Sequence, residues 1–422
     1  MRRGAARPGA RRRALGALAV LALTATACAP TPEPTAATTA SVEVFSWWAS
    51  GSEKLALDTL VGVFGRQYPQ TRYVDAAVAG GAGSAAKDVL DSRLSHDDPP
   101  DTFQVHGGAE LADHVSAGAL TDLDALFTEL GLDRSLTPEV LDQVSIDGTP
   151  YAVPSNVHRA NVLWANAEVL AAAGIEPGDG YTTLDEWMAD LETVAGTGTT
   201  PLAVAATWTQ VHLLEQVLLA RLGADGYRGL WDGGTDPGSP QVTSALGDFD
   251  RLIGWTNADR DALDWQDAAQ RVTDGSAAFT VMGDWALPVL EGDGVPATWW
   301  PVPGTEGTFD LVVDAFTLPV GAASPDTAEQ WLRTVASYDA QASFANAKGA
   351  LPARADISTS DLGTYQRRAL FAFRSDEVVP SLAHGSAIPP DALTALTSAV
   401  GTFTRGGSSV AELQAALVDA VG

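Results

Sequence analysis

The sequence predicts an α/β protein of two lobes, its mostly parallel sheets flanked by helices and a cleft between the lobes. Three observations carry this. From Ser41 onward, short runs alternating apolar and polar give way repeatedly to stretches whose apolar residues recur every three or four positions, the signatures of strand and helix in succession. The chain has 422 residues, more than one such sheet uses, so two lobes are expected. Finally, Val42 to Phe45 leads straight into Trp47 and Trp48. Adjacent side chains at the end of a strand point to opposite sides, so at most one indole is expected in the core and the other exposed or lining a cleft. Open α/β sheets bind their ligands beyond the carboxyl ends of their strands.

Before Ser41 the chain differs in kind. Arg2, Arg3, Arg7, Arg11, Arg12 and Arg13 precede an apolar stretch from Ala14 to Ala27. It is too short to span a bilayer but fits the hydrophobic part of a signal peptide. The arginine run also suits twin-arginine export. Cys28, the only cysteine, follows, and then a Pro- and Thr-rich tether to Ala40. Residues 1–27 are therefore read as a signal peptide and 28–40 as a flexible tether. Cys28 resembles a bacterial lipoprotein cleavage site, with Ala25 where Leu or Val is usual. That implies lipidation of Cys28 and a membrane anchor at the outer face of the cell membrane, periplasmic in a host with an outer membrane.

Taken in order, Ser41 to Phe45 reads as a strand, and Ala56, Leu60, Val63, Phe64 and Tyr68 mark one face of the helix after it. Arg72 to Val78 is a strand that runs into a glycine turn through Gly81, and a helix follows from Ser84 to Leu94. Thr102 to His106 is a short strand, and helices follow to about Ala117 and near Pro138 to Val144. Asp147-Gly148 signals a hairpin leading into Tyr151 to His158 and the strand Asn161 to Trp164. A capping box, Thr183 with Glu186, opens the helix that carries Trp187. Pro201 to Ala206 is a strand, and its following helix is expected to end at Leu222-Gly223. Helices follow from Gln241 to Ile253 and from Trp265, then a strand from Ser276 to Met282 that ends in Gly283-Asp284-Trp285. Asp310 to Val320 is a long strand. Beyond Ser324 helices dominate, with His384 in a loop between two of them.

Charge narrows the partners. Six of the 25 basic residues and none of the 53 acids precede Cys28, leaving 19 against 53, a formal −34. Such a surface repels phosphate backbones, so no nucleic acid partner is expected. With no further cysteine, disulfides and thiolate metal sites are excluded. The histidines show no i, i+4 pair, so no metal is expected, and neither is a cofactor. Gly81-Ala-Gly-Ser-Ala-Ala86 passes for a dinucleotide fingerprint, but a helix N-terminus offering amides to ligand hydroxyls is the better reading. No hydrolase nucleophile signature occurs. Glu53, Asp284 and Asp314 leave open an exported glycoside hydrolase using paired carboxylates, although Asp284 reads better as a helix cap. A flat indole with an acid nearby suits a sugar ring, with a face to stack and hydroxyls to bond.

Seven stretches appear in order: Val44 to Glu53, Ala77 to Gly83, Pro99 to Gly107, Val153 to Arg159, Asn161 to Asn166, Met282 to Trp285 and Val313 to Phe316. Together they resemble the glucose/mannose-type sugar-binding proteins of bacterial ABC transporters, in the large family that includes maltose-binding protein. The resemblance spans nearly all of Ser41 to Gly422. It implies two α/β lobes hinged by several crossings and closing on a neutral hexose, with no catalysis. It also implies the permease of an ABC importer as partner and a monomeric receptor. Lobe 1 would comprise 41–151 and 314–350, lobe 2 would comprise 155–310 and 355–422, and the crossings would lie near 152–154, 311–313 and 351–354. Carried across by position, the resemblance puts Trp47, Trp48, Glu53, Gly81, Gln104 and His106 in the site from the first lobe. From the second come Trp265, Trp285 and His384, with Asp314 at a crossing. Trp208 and Gln210 rank second, and Trp164, Trp187, Trp231 and Trp331 read as core.

Overall fold

A computed structural model of the chain describes residues 40–80, 84–176, 178–292 and 298–421. The signal peptide, all but the last residue of the tether, Cys28 and Gly81 lie outside the described residues. The strands are β1 (Ser41–Phe45), β2 (Arg72–Asp75), β3 (Thr102–His106), β4 (Ser145–Ile146), β5 (Thr149–Pro150), β6 (Ala152–Arg159), β7 (Val162–Ala165), β8 (Thr200–Ala203), β9 (Ala277–Val281), β10 (Thr298–Pro301), β11 (Thr308–Thr317) and β12 (Glu377–Pro380).

They form two main sheets. The first has the order β12-β11-β3-β1-β2, with β6 along the other edge of β11; the second has the order β10-β7-β9-β8. The expected parallel pairing holds where a helix carries the chain back to its start, between β1 and β2, β1 and β3, and β8 and β9. The long strands that join the halves run the other way. β11 is antiparallel to β3 and to β6, and β7 is antiparallel to β9 and β10. The sheets are therefore mixed, because a strand returning through a hinge enters its sheet from the opposite end.

β11 positions the site. Its first four residues pair with β12 and its last four with β3, while β6 follows it along the other side. The register against β6 slips between Asp314 and Ala315, leaving Ser155 unpaired. Such a bulge re-aims the side chain beside it, here that of Asp314. Leu351 bonds Val157 in both directions at 2.8 Å, so a third pass of the chain lies beside β6.

Local chemistry accounts for most element boundaries. The Thr183–Glu186 capping box forms as read, and Asp147 and Gly148 take the positive φ of a tight hairpin turn. The helical run Thr207–Asp232 is broken by non-helical backbone at Gly223, where the sequence placed the stop, and a second stretch continues to Asp232. The strand before His384, β12, was not expected; only four residues long, it owes its pairing to β11. One hydrophobic core covers the first sheet and continues through Trp265, Met282, Trp285 and Leu287 of the second half. A second gathers on the helix Thr207–Asp232. Continuity of the first core means that the halves are shut against each other.

Candidate functional site

A cavity of about 30 Å³ lies between the halves. Trp47, Trp48, Glu53, His106, Trp265, Trp285, Asp314 and His384 all line it, and so do Trp208, His158, Lys348 and Val312.

The first wall grows from the end of β1. Trp47 lies 4.6 Å from the His106 ring and Trp48 packs on Phe344 at 4.9 Å. Both indoles line the cavity and both are buried, Trp47 at 6% and Trp48 at 0% exposure. Glu53, in the first turn of the helix Gly51–Gln67, accepts from Lys348 Nζ at 2.6 Å, and that ammonium sits 5.5 Å over the Trp48 ring. His106 Nδ1 meets Glu110 Oε2 at 3.1 Å, and Lys87 reaches the same oxygen at 2.5 Å. Burial pushes the Glu110 carboxyl up, but Lys87 and His106 outweigh it and hold it down at about 2.

The second wall is set by two local devices. An Asp264–Asp267 capping box starts the helix Trp265–Thr273 on the indole itself. Gly283 lets Trp285 fold back, since a Cβ there would stand 2.1 Å from the ring. Trp285 meets His158 edge to face at 5.2 Å and His384 at 4.9 Å. Trp208 lies 6.0 Å from His384.

The floor is ionic. Asp314 accepts from Gln104 Nε2 at 3.1 Å and from Asn156 Nδ2 at 3.0 Å. His158 Nε2 lies 3.3 Å from Asp314 Oδ2, within ion-pair reach though not aligned as a hydrogen bond. Its other nitrogen bonds Asp284. Burial lowers the His158 pKa, but Asp284 and Asp314 raise it by more, which favours the imidazolium over the neutral ring. Burial would raise Asp314; His158, His106 and Lys348 override it and hold the carboxyl far below its usual range. For His384, burial and then the neighbouring His106, His212 and Lys87 depress the pKa, which keeps that ring neutral.

Some expectations shift. Gln104 does not line the cavity; it ties the Trp47 amide, at 3.3 Å, to Asp314. Asp284 caps no helix: it accepts from His158, from the Arg159 amide at 3.0 Å and from Tyr365 Oη at 3.3 Å. Gln210 bonds Ala205 O and Asp261 away from the cavity. Trp164, Trp187 and Trp331 are fully buried, whereas Trp231 sits at the edge of the second core. Against the expectation of no ligand cluster, His212, Glu215 and His384 come together behind the second wall. His158 and Lys348 were missed as site residues. Only the likeness of the Val153 to Arg159 stretch to the family pointed to His158, and nothing read from the sequence marked Lys348.

A closed cleft between two α/β halves, floored by the strands that join them, is the architecture of solute receptors. The chain belongs to the bacterial extracellular solute-binding proteins, whose family model matches residues 77–372, and membership implies export. It is 34% identical to an uncharacterised ABC transporter extracellular-binding protein of Pyrococcus horikoshii, covering 89% of this chain and 87% of that one. It is 29% identical to the xylose/arabinose-binding protein XacG of Haloferax volcanii, over 90% and 84%. Among solved structures, a chitin oligosaccharide binding protein superposes with a TM-score of 0.79 at 18% identity, over 90% and 98%. Maltose-bound MalE3 of T. maritima gives 0.74 at 16%, over 90% and 99%. At such identities the likeness concerns the fold, which is the two-lobed maltose-receptor type.

Proposed function

We propose that this receptor captures a neutral hexose of the glucose, mannose or galactose type and presents it to an ABC importer, without transforming it. The observation that carries the reading is the pairing of wall and floor. Indoles on both sides offer flat apolar faces, while the charges beneath them are matched to one another, Glu53 with Lys348 and Asp314 with His158. Charged groups already engaged by internal partners leave no free partner for an ionic solute, yet they offer hydrogen-bond donors and acceptors to hydroxyls. Each hydroxyl left without its partner costs about 1–3 kcal/mol, enough to sort epimers. Relatives named for xylose/arabinose and for glucose support a monosaccharide and make pentoses the second arm of the test.

Hydrolysis finds less support. Of the acids lining the cavity among the described residues, Asp314 is held well below its usual range, with His158 and Lys348 among the causes, and Glu53 is engaged by Lys348, so neither is a poised acid. Lobe 1 is proposed as 41–151 with 314–350 and lobe 2 as 155–310 with 355–422, crossing near 152–154, 311–313 and 351–354. β6, β11 and the Val157–Leu351 bridge support those crossings. Cys28 is proposed as the lipid anchor of an otherwise monomeric receptor, and mass spectrometry of the membrane-extracted protein tests it. The decisive experiment is calorimetric titration of the mature domain with neutral hexoses, pentoses and disaccharides. Binding of one hexose with recovery of unchanged sugar is expected. No heat from any neutral sugar at millimolar concentration overturns the reading.

A further inference from the structure

Behind the second wall, His212 and Glu215 stand one turn apart on the helix Thr207–Asp232, and His384 reaches them from the loop after β12. One ligand atom of each lies within 4.8 Å of the others, and all three residues are buried. Among the described residues neither ring nitrogen of His212 has a hydrogen-bond partner. An unpaired buried polar atom costs about 1–3 kcal/mol, so an imidazole with both nitrogens orphaned points to a ligand between the residues. Glu215 supplies the second observation. Its Oε1 is secured by Tyr227 Oη at 2.7 Å and by the Leu382 amide. Its Oε2, facing His212 Nδ1 at 3.6 Å, has only longer contacts from Ser381 Oγ at 3.2 Å and the Ala383 amide at 3.3 Å. Among the described residues no Lys or Arg pairs with this carboxylate. Ser381 Oγ also meets His384 Nδ1, at 2.9 Å, so one hydroxyl bridges the carboxylate, to which it donates, and the His384 ring.

We propose that His212, Glu215 and His384 bind a divalent transition cation of the zinc class. Two imidazoles and a carboxylate are the donors such ions take, whereas calcium and magnesium favour all-oxygen shells. The His-x-x-Glu spacing puts two donors on one helix face. Tyr227 and the Leu382 amide orient the carboxylate from its far oxygen, as outer partners of metal ligands do. An ion here offsets a buried negative charge and satisfies His212 at once. It also holds the His384 ring, which lines the cleft, so ion and solute affinities become linked by one reciprocal factor.

The test uses tag-free mature protein stripped with a chelator and studied without sugar. Titration with Co²⁺, followed by visible absorption, and with Zn²⁺, followed by calorimetry, is expected to give one ion per chain. His212→Ala and Glu215→Gln should bind about tenfold more weakly or worse. Where Glu215→Gln fails to fold, His212→Ala with a cooperative melt carries the comparison. His212→Cys should restore Co²⁺ binding with a sulfur charge-transfer band. The proposal is overturned if wild type takes up no stoichiometric ion, or if His212→Ala binds as tightly, which would put the ion elsewhere. Sugar titrations run in chelator read the function separately, so failure of one does not count as failure of the other.

Discussion

The walls and the floor of the cleft hold a solute by different means. The walls are indoles, Trp47 and Trp48 on one side and Trp265, Trp285 and Trp208 on the other, and each packs mainly on its own neighbours. The floor is a chain of acid–base contacts, Asp284 with His158 and His158 with Asp314, continued at the foot of the first wall by Lys348 with Glu53 and Lys87 with Glu110. Apolar area is non-directional, and losing one indole removes its share and little more. A buried charge stripped of its partner costs far more than the pair contributes, so the floor stands or fails as a unit. Affinity should therefore live in the walls, and selectivity, pH dependence and hinge integrity in the floor.

The largest expected effect breaks the floor. Asp314→Ala leaves His158, His106 and Lys348 facing one another without their shared anion. A loss of about 3–5 kcal/mol in unfolding free energy is expected, together with loss of sugar binding. Denaturant melts read the first and calorimetry the second. A variant within 1 kcal/mol of wild type would show that the floor is not a unit.

Acid should find the same weakness. Glu110 is depressed, from an unfolded value near 4.5 to about 2. A group whose folded pKa is lowered contributes stability above its unfolded pKa and loses it as pH falls through the folded one. Glu110 should give up on the order of 3 kcal/mol between about pH 4.5 and 2, and Asp314 adds to that limb in the same direction. His158 behaves oppositely: its raised pKa contributes fully below an unfolded value of about 6.5, and that share disappears as pH rises through the folded value. Urea midpoints against pH should therefore fall on the acid side in wild type and more gently in Glu110→Gln. Equal acid limbs would remove Glu110 from the account.

The walls predict smaller, separable losses. Trp285→Ala should weaken sugar binding by about 2 kcal/mol or more, roughly thirtyfold, while the protein stays folded. Trp187, fully buried in the second core, should do the reverse: Trp187→Ala costs about 3–5 kcal/mol of stability with near-normal affinity at low temperature. Normal affinity in a folded Trp285→Ala protein would remove that indole from the site.

The same division explains what the sequence made legible. Tryptophans at strand ends and the Gly-Asp-Trp turn announce a wall locally, because strand period and turn chemistry are local signals. The floor is assembled from far apart. His158 sits inside a strand, and its partner Asp284 is 126 residues away. Lys348 closes a helix ahead of Gly349, an ordinary place for a lysine, so no local pattern marks it as the partner of Glu53. The antiparallel runs of β7, β10 and β11 were equally hidden, since pairing direction belongs to neighbours distant in sequence. As a sugar-site residue Asp314 was read from likeness alone, beyond its place among several candidate acids; the bulge that aims it depends on β6.

The smallest expected effect tests whether the two walls meet in the loaded state. Gly51 opens the helix after Trp48 at φ +58, and a Cβ there would lie 2.0 Å from Oε1 of Gln266, next to Trp265 on the other half. Gly51→Ala carries two costs. The left-handed backbone strains any L side chain by about 1–2 kcal/mol, and it does so whether the cleft is open or shut. The clash with Gln266 exists only when the halves are together, so it alone weakens sugar binding, by about 1 kcal/mol or fivefold, through the population of the closed state. Gln266→Ala in the same background should restore affinity but not stability, because it removes the clash and leaves the strain. Solution scattering should show sugar compacting wild type and the double variant at lower concentration than Gly51→Ala alone. Should Gly51→Ala bind as wild type while its stability falls, the walls do not touch here in the bound state, and the closed geometry between Gly51 and Gln266 is not the one that holds the sugar.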